Sequence, residues 1–192
     1  MSTVVMVIDM ERGFTDPNGA LYAGETVRRI IAPIRKILEE EGRKGAQFIF
    51  TRDMHDPDDK EFEMWPPHCV KGTWETEIDP ALADFAKDAI IIDKRRYSAF
   101  YDTDLESILE RIAPDQIIVT GVATDICVMY TTADLRNRDY PVVIPANAVT
   151  SFDPEAHAFA LKHMEKILGV NVVPDYETWL RSQEKEPTYV YA

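Results

Sequence analysis

The sequence predicts an α/β fold in which a six-stranded, mainly parallel sheet carries helices on both faces. Six short apolar runs, rich in β-branched residues and without polar alternation, recur along the chain, as expected for strands buried on both faces. Amphipathic segments lie between these runs, and such alternation is typical of parallel sheets covered by helices. Because no repeat or linker divides residues 1–192, we expect a single domain.

Each element follows from its local pattern. The predicted strands are residues 4–8, 47–50, 89–92, 116–119, 142–144 and 170–173. The predicted helices are residues 26–41, 105–111, 125–138 and 154–168. Pro33 is expected to bend the first helix, while Asp153 and Gly169 are typical of the start and the end of the last. Residues 53–80 are predicted to form a long loop, and such loops are often functional.

Composition excludes several classes of partner. The formal net charge of -13 argues against nucleic acids and anionic membranes, which need a basic surface. No stretch approaches the ~20 apolar residues of a membrane span, and the N-terminal residues lack the pattern of a secretory signal. The two cysteines, Cys69 and Cys127, are expected to be free thiols in a reducing compartment, so we expect a cytoplasmic protein.

Polar residues come directly after the apolar runs. Asp9 ends the first run, Asp53 and His55 follow the second, Lys94 follows the third and Cys127 lies beyond the fourth. Taken singly, these residues have structural explanations, such as a turn cap, a solvated charge or a small buried hydrophobe. Ligands of open α/β sheets bind beyond the carboxyl ends of the strands, so the joint placement favours an active site.

Cys127 is the candidate nucleophile. Gly121 permits a tight turn after the fourth strand, and Cys127 is predicted to lie near the start of the following helix. The helix dipole and a nearby Lys94 would lower the pKa of the thiol, and free backbone amides there would bind an oxyanion. Asp9 would accept the thiol proton and return it to a leaving group.

The predicted loop carries a candidate metal site. Asp53 and His55 are two residues apart, so in an extended segment they face the same way. His68 lies further along the loop, with Glu61 between. Two imidazoles and two carboxylates suit Zn²⁺ or Fe²⁺. The alternative is that all four are ordinary polar residues of a surface loop.

Together these residues resemble the nicotinamidase (pyrazinamidase) group of the isochorismatase-like cysteine hydrolases. The resemblance covers nearly the whole chain and rests on five ordered motifs: Val7-Ile-Asp-Met10 with Phe14, Asp53-Met-His55, Trp65-Pro-Pro-His68 with Gly72-Thr73, Asp93-Lys94 with Tyr97-Ser-Ala-Phe100, and Gly121-Val-Ala-Thr-Asp-Ile-Cys127. The second and third motifs resemble nicotinamidases in particular.

The resemblance implies specific roles. The implied catalytic triad is Asp9, Lys94 and Cys127. A cis peptide between Val122 and Ala123 is implied, with the amides of Ala123 and Cys127 forming the oxyanion hole. The implied metal ligands are Asp53, His55 and His68, with Glu61 matching a fourth ligand that only some members have. The implied ring-binding residues are Phe14, Trp65 and Tyr97.

The activity implied is hydrolysis of nicotinamide to nicotinate and ammonia in NAD salvage. The implied cofactor is one divalent metal that binds the pyridine nitrogen, zinc first and iron or manganese as alternatives. Two other functions stay open: an amidase of N-carbamoyl compounds with the same triad, and a non-catalytic binding protein. Isochorismatase activity is disfavoured because it does not use the cysteine. A homo-oligomer is left open, since the apolar tail at residues 187–192 could dock on another subunit.

Overall fold

The first strand lies at the centre of the sheet and is flanked by the strands that carry the candidate site. The computed structural model describes residues 2–184. Its strands are β1 Thr3–Ile8, β2 Gln47–Asp53, β3 Ile90–Lys94, β4 Gln116–Val122, β5 Val142–Pro145, β6 Val149–Thr150 and β7 Asn171–Val173. The order is β3-β2-β1-β4-β5-β7, with β6 paired to β4, and the pairings are parallel. The predicted α/β class and parallel sheet are confirmed.

Helices cover both faces of the sheet, as predicted. They are α1 Arg12–Thr15, α2 Glu25–Arg43, α3 Ala83–Ala86, α4 Leu105–Ile112, α5 Met129–Asn137, α6 Pro154–Leu168 and α7 Tyr176–Glu184. Successive residues of a strand point to opposite faces. Val5 and Val7 therefore pack in the core that contains the apolar side of α2, whereas Val4 and Met6 pack with residues of α4, α5 and α6.

Several predicted boundaries are wrong. β2 and β3 run to Asp53 and Lys94, so these side chains lie on the last residues of strands and not in the loops that follow. The helix predicted from residue 125 begins only at Met129, because a π-type turn, Thr124–Val128, precedes it. β6, α1 and α3 were not predicted, since two to four residues carry too little periodicity. α7 was also missed.

Local hydrogen bonds order the remaining segments. The loop predicted for residues 53–80 contains two 3-10 turns, Lys60–Glu63 and Trp74–Thr76. The predicted start of α6 is confirmed, because Asp153 accepts a hydrogen bond from the Glu155 amide at 2.9 Å. Gly169 ends α6 in the left-handed conformation, as predicted, and α2 continues through Pro33. The tail at residues 187–192 lies outside the described residues.

The described part of the chain offers no membrane-spanning segment. Within residues 2–184, no helix combines the length and the apolarity that crossing a bilayer requires.

Gly121 lets β4 end directly beside β1. Its φ is +107°, and a Cβ there would lie 2.0 Å from the Ile8 carbonyl oxygen. Gly45 also has a positive φ, +85°, but a Cβ there would meet nothing within 4 Å.

We predict that Gly45→Ala costs roughly 1–2 kcal/mol of backbone strain. Gly121→Ala should lower the free energy of unfolding by clearly more, because backbone must move to admit the methyl group. Urea unfolding of both variants measures the difference, and equal losses would contradict this account.

Candidate active site

The candidate site lies at the carboxyl edge of the sheet, where four neighbouring strands end. Asp9 directly follows β1, Asp53 ends β2, Lys94 ends β3, and Cys127 lies in the turn after β4. Because these strands are parallel and adjacent, their ends bring the four side chains together. The sequence-predicted triad is therefore one spatial cluster.

Lys94 is the centre of this cluster. Its side chain is fully buried, and Nζ lies 2.8 Å from Asp9 Oδ2, 3.3 Å from Asp53 Oδ1 and 3.4 Å from Cys127 Sγ. Burial lowers the pKa of Lys94, but the Asp53 and Asp9 carboxylates outweigh burial and raise it well above its ordinary value. The side chain is therefore a permanent cation in contact with the candidate base and the candidate nucleophile.

Each oxygen of the Asp9 carboxylate has a buried partner. The Thr51 hydroxyl donates to Asp9 Oδ1 at 2.5 Å and accepts from the Asp9 amide at 3.1 Å. Asp9 Oδ2 pairs with Lys94 but has no aligned hydrogen bond among the described residues. Burial raises the pKa of Asp9, although Lys94 opposes this effect. A buried carboxylate with a raised pKa is suited to accept a proton.

Cys127 lies in the π-type turn that directly precedes α5, near the start of that helix. Ile126 has φ -120° and ψ -105°, so regular helix does not continue back through Ile126, as a helix from residue 125 would require. Burial raises the pKa of the thiol well above its ordinary value, Lys94 lowers it, and the charges of Asp9 and Asp53 raise it. The predicted lowering of the thiol pKa is therefore wrong. Sulfur becomes nucleophilic here only as its proton leaves, and Asp9 is the nearby acceptor.

Backbone and side-chain contacts fix the turn that carries Cys127. The peptide bond between Val122 and Ala123 is cis, and the Ala123 carbonyl accepts from the amides of Ile126 at 3.0 Å and Val128 at 3.1 Å. Two side chains of the turn are tied to neighbouring segments. Thr124 Oγ1 lies 2.8 Å from His157 Nδ1 on α6, and Asp125 accepts a hydrogen bond from Ser151. These tethers were not predicted.

The four predicted metal ligands lie together and are all buried. One donor atom from each lies within 4.8 Å of the others: Asp53, His55, Glu61 and His68. Nε2 of His55 and Nε2 of His68 converge on Asp53 Oδ2, at 3.0 and 3.2 Å. The Nδ1 atom of His68 lies 2.8 Å from the Pro66 carbonyl, which leaves its Nε2 as the metal-facing atom. The donor set therefore fits a divalent metal such as Zn²⁺.

Charge around the donor set also favours a cation. Burial lowers the pKa of His55, but the hydrogen bonds to Asp53 and Asp59 and the charges of Asp53 and Glu61 outweigh burial and raise it to about 9. Burial raises the pKa of Asp53, but Lys94 and the two histidines outweigh burial and hold it well below its ordinary value. A bound metal would take the place of the His55 proton, because a ligating imidazole must be neutral.

Other polar residues around the site were missed. Glu11 is fully buried, and its Oε1 accepts from the Asp53 amide at 2.6 Å. Burial raises the pKa of Glu11 well above its ordinary value, and the charges of Asp9 and Asp53 contribute in the same direction. Asp59 and Arg96 lie beside the metal donors. The only sequence signal for Asp59 was its place in an acidic loop, where charge runs are usually solvated.

Both clusters open into one pocket at the carboxyl edge of the sheet. Its lining includes the three predicted aromatic residues, Phe14, Trp65 and Tyr97. The Trp65 indole donates a hydrogen bond to the Tyr97 hydroxyl at 3.1 Å. Three apolar lining residues were not predicted: Leu21, Ile126 and Phe152. Cys69 is fully buried and does not line this pocket.

A family model described as an isochorismatase domain matches residues 3–173. The chain belongs to the isochorismatase family. The matched residues run from the start of β1 to the end of β7 and so include the whole sheet.

Three solved structures illustrate the family. A pyrazinamidase/nicotinamidase from Streptococcus mutans is 36% identical with a TM-score of 0.85, covering 90% of this chain and 100% of that one. A pyrazinamidase from Pyrococcus horikoshii, in complex with zinc, is 32% identical with a TM-score of 0.83, covering 90% and 99%. An N-carbamoylsarcosine amidase from Thermoplasma acidophilum is 29% identical with a TM-score of 0.79, covering 90% and 95%. The predicted enzyme class, a hydrolase of amide C–N bonds, is confirmed.

The contact between Lys94 and the thiol predicts the reactivity of Cys127. Lys94→Met removes the cation that opposes the burial effect, so the pKa of Cys127 should rise and alkylation by iodoacetamide near neutral pH should slow. Each pKa unit corresponds to about tenfold less thiolate. Lys71→Met is the control, because Lys71 is exposed and pairs only with exposed Asp56. Peptide mass spectrometry separates Cys127 from Cys69. An unchanged rate in Lys94→Met would contradict the proposed influence of Lys94.

Proposed function

We propose that the protein is a nicotinamidase, which hydrolyses nicotinamide to nicotinate and ammonia through a thioester on Cys127. One observation carries the proposal: Cys127 and Asp9 line the same pocket as three of the four metal donor residues, together with aromatic side chains. The similarity to the S. mutans pyrazinamidase/nicotinamidase supports the same activity. We place this activity in NAD salvage in the cytoplasm, where the two free thiols would stay reduced.

The proposed metal is zinc, with iron or manganese as alternatives. Asp53, His55 and His68 would hold it, with Glu61 as a fourth ligand. The zinc complex of the P. horikoshii relative supports the choice of zinc. When bound, the metal supplies a Lewis acid for the pyridine nitrogen and so fixes the ring in the pocket. The remaining chemistry belongs to the side chains around Lys94.

The first half of the reaction forms the thioester. The Cys127 thiol gives its proton to Asp9 as sulfur attacks the carboxamide carbon. The carbonyl oxygen gains negative charge, for which the amides of Ala123 and Cys127 are the proposed donors. Asp9 then transfers the proton to the amide nitrogen, the C–N bond breaks, and ammonia leaves. Lys94 stays protonated and offsets the negative charge on sulfur and on Asp9.

The second half hydrolyses the thioester. The Asp9 carboxylate takes a proton from a water molecule whose oxygen attacks the thioester carbon. The carbon–sulfur bond then breaks, and Cys127 recovers the proton from Asp9. The product carboxyl group keeps the second proton of the water, loses it to solvent and leaves as nicotinate. The same carboxylate serves both halves because its raised pKa suits proton exchange in either direction.

The aromatic lining of the pocket favours nicotinamide over the carbamoyl alternative. N-carbamoylsarcosine has no aromatic ring, whereas four aromatic side chains line the pocket. The lining includes three acids and one histidine, and the residues found there contain no lysine or arginine: Asp9, Phe14, Leu21, Asp53, Glu61, Trp65, His68, Tyr97, Val122, Ala123, Ile126, Cys127 and Phe152. A neutral aromatic carboxamide fits this lining better. The contacts of Lys94 with Asp9 and Cys127 argue against a non-catalytic binding protein.

Ammonia release from nicotinamide tests the proposed activity and the nucleophile together. The native protein should release ammonia, and Cys127→Ala should abolish turnover while unfolding at an unchanged temperature, because only the covalent chemistry is lost. Cys69→Ala is the matched control and should keep substantial activity. Turnover by Cys127→Ala, or a folded but inactive Cys69→Ala, would contradict the assignment of the nucleophile.

Metal binding is predicted to matter for the substrate and not for the thiol. His68→Ala should lose bound zinc, measured by elemental analysis, and most nicotinamide hydrolysis, because the ring is no longer fixed. Alkylation of Cys127 by iodoacetamide should persist. His163→Ala is the control, since His163 lies on α6 and stacks on Phe159. If chelation and zinc readdition leave the native activity unchanged, the proposed metal role is wrong.

A further inference from the structure

Asp59 contacts two of the four metal donor residues but does not belong to the donor set itself. We infer that Asp59 is a positioning residue that sets metal affinity by orienting His55 and by placing Glu61. The inference rests on the metal site of the proposed function. It concerns the residues that hold the ligands in place, which neither the sequence motifs nor the pocket lining indicates.

The first contact fixes the ring of His55. Asp59 Oδ2 lies 3.0 Å from His55 Nδ1, while His55 Nε2 lies 3.0 Å from Asp53 Oδ2. Because Asp59 accepts at Nδ1, the lone pair of the neutral ring is directed to Nε2, which is the atom beside Asp53. The ring is fully buried, so no water molecule would replace Asp59 as the partner of Nδ1 without rearrangement.

The second contact places Glu61. Asp59 Oδ1 accepts from the Glu61 amide at 2.9 Å and thereby caps the 3-10 turn Lys60–Glu63, from which Glu61 projects. A carboxylate at this position satisfies an amide that the turn itself leaves unpaired. One oxygen of Asp59 therefore contacts the ring of His55, and the other accepts a hydrogen bond from the backbone amide of Glu61.

Arg96 fixes Asp59 in this orientation. Arg96 Nη1 lies 2.9 Å from Asp59 Oδ1 and 3.1 Å from Asp59 Oδ2. The same nitrogen lies 3.6 Å from Glu61 Oε2. Arg96 follows Lys94, the last residue of β3, by two residues. The end of β3 therefore contacts both parts of the site, because Lys94 contacts the Cys127 thiol and Arg96 contacts the Asp59 carboxylate.

A plain structural role for Asp59 makes a different prediction. If Asp59 only capped the turn, Asn would replace it well, because Asn and Asp are comparable N-caps. Asn, however, lacks the negative charge that His55 Nδ1 faces. Asp59→Asn therefore keeps the cap and weakens the support of His55, whereas Asp59→Ala removes both contacts. Asp56→Asn is the matched control, since Asp56 is exposed in the same loop and pairs with Lys71.

The test measures Zn²⁺ affinity by competition with a chromophoric chelator, beside the thermal unfolding temperature of each variant without metal. Loss of a residue behind a metal ligand typically costs 10–100-fold in affinity. We expect about tenfold weaker binding for Asp59→Asn, about 100-fold for Asp59→Ala, and no change for Asp56→Asn. The absorption spectrum of the Co²⁺-loaded protein should change in Asp59→Ala, because the positions of His55 and Glu61 both shift.

The outcomes separate this inference from the function on which it rests. If Asp59→Asn and Asp59→Ala both bind Zn²⁺ as tightly as the native protein, the inferred role of Asp59 is wrong. The proposed nicotinamidase activity is not affected by that result. If Zn²⁺ binding is weaker in Asp59→Ala but unchanged in Asp59→Asn, Asp59 acts only as the cap of the turn. The inferred orientation of His55 by Asp59 is then wrong. Native protein that binds no Zn²⁺ would overturn the proposed metal role and this inference with it.

Discussion

The site depends on one buried ammonium group. Lys94 lies fully inside the protein, and its Nζ atom contacts Asp9, Asp53 and the sulfur of Cys127. A buried charge is tolerated only when it is paired, and removing one partner of such a pair is strongly destabilising, by about 3–5 kcal/mol. Lys94 therefore requires the carboxylates at the ends of β1 and β2. The parallel register of these strands is what delivers the carboxylates to the ammonium group.

This arrangement links the two halves of the site. Asp53 gives one oxygen to Lys94 and the other to the two histidines of the donor set. Lys94 in turn contacts Cys127, so one carboxylate connects the proposed metal site with the nucleophile through a single ammonium group. Burial raises the pKa of the Cys127 thiol, and Lys94 opposes this effect. Asp9, whose pKa is also raised by burial, is the proposed acceptor of the thiol proton during attack.

The sequence predicted those features that depend on strand ends. Asp9, Asp53 and Lys94 could be placed together because parallel strands end at a common edge, and the apolar runs that mark the strands are strong signals. The direction of the Cys127 pKa could not be predicted, because it depends on burial and on the charges of Asp9 and Asp53 around the thiol. The role of Asp59 could not be predicted from the sequence either. Asp59 follows two exposed acids, Asp56 and Asp58, and only the folded loop brings it to His55.

The central claim is that sulfur of Cys127 forms a covalent bond with the substrate. The most direct measurement is rapid acid quenching of the zinc-loaded native protein during turnover of nicotinamide, followed by peptide mass spectrometry. The account predicts a nicotinoyl group on the peptide that contains Cys127 and none on the peptide that contains Cys69. Turnover of nicotinamide without any adduct on Cys127 under conditions that trap model thioesters, or an adduct on Cys69, would contradict it.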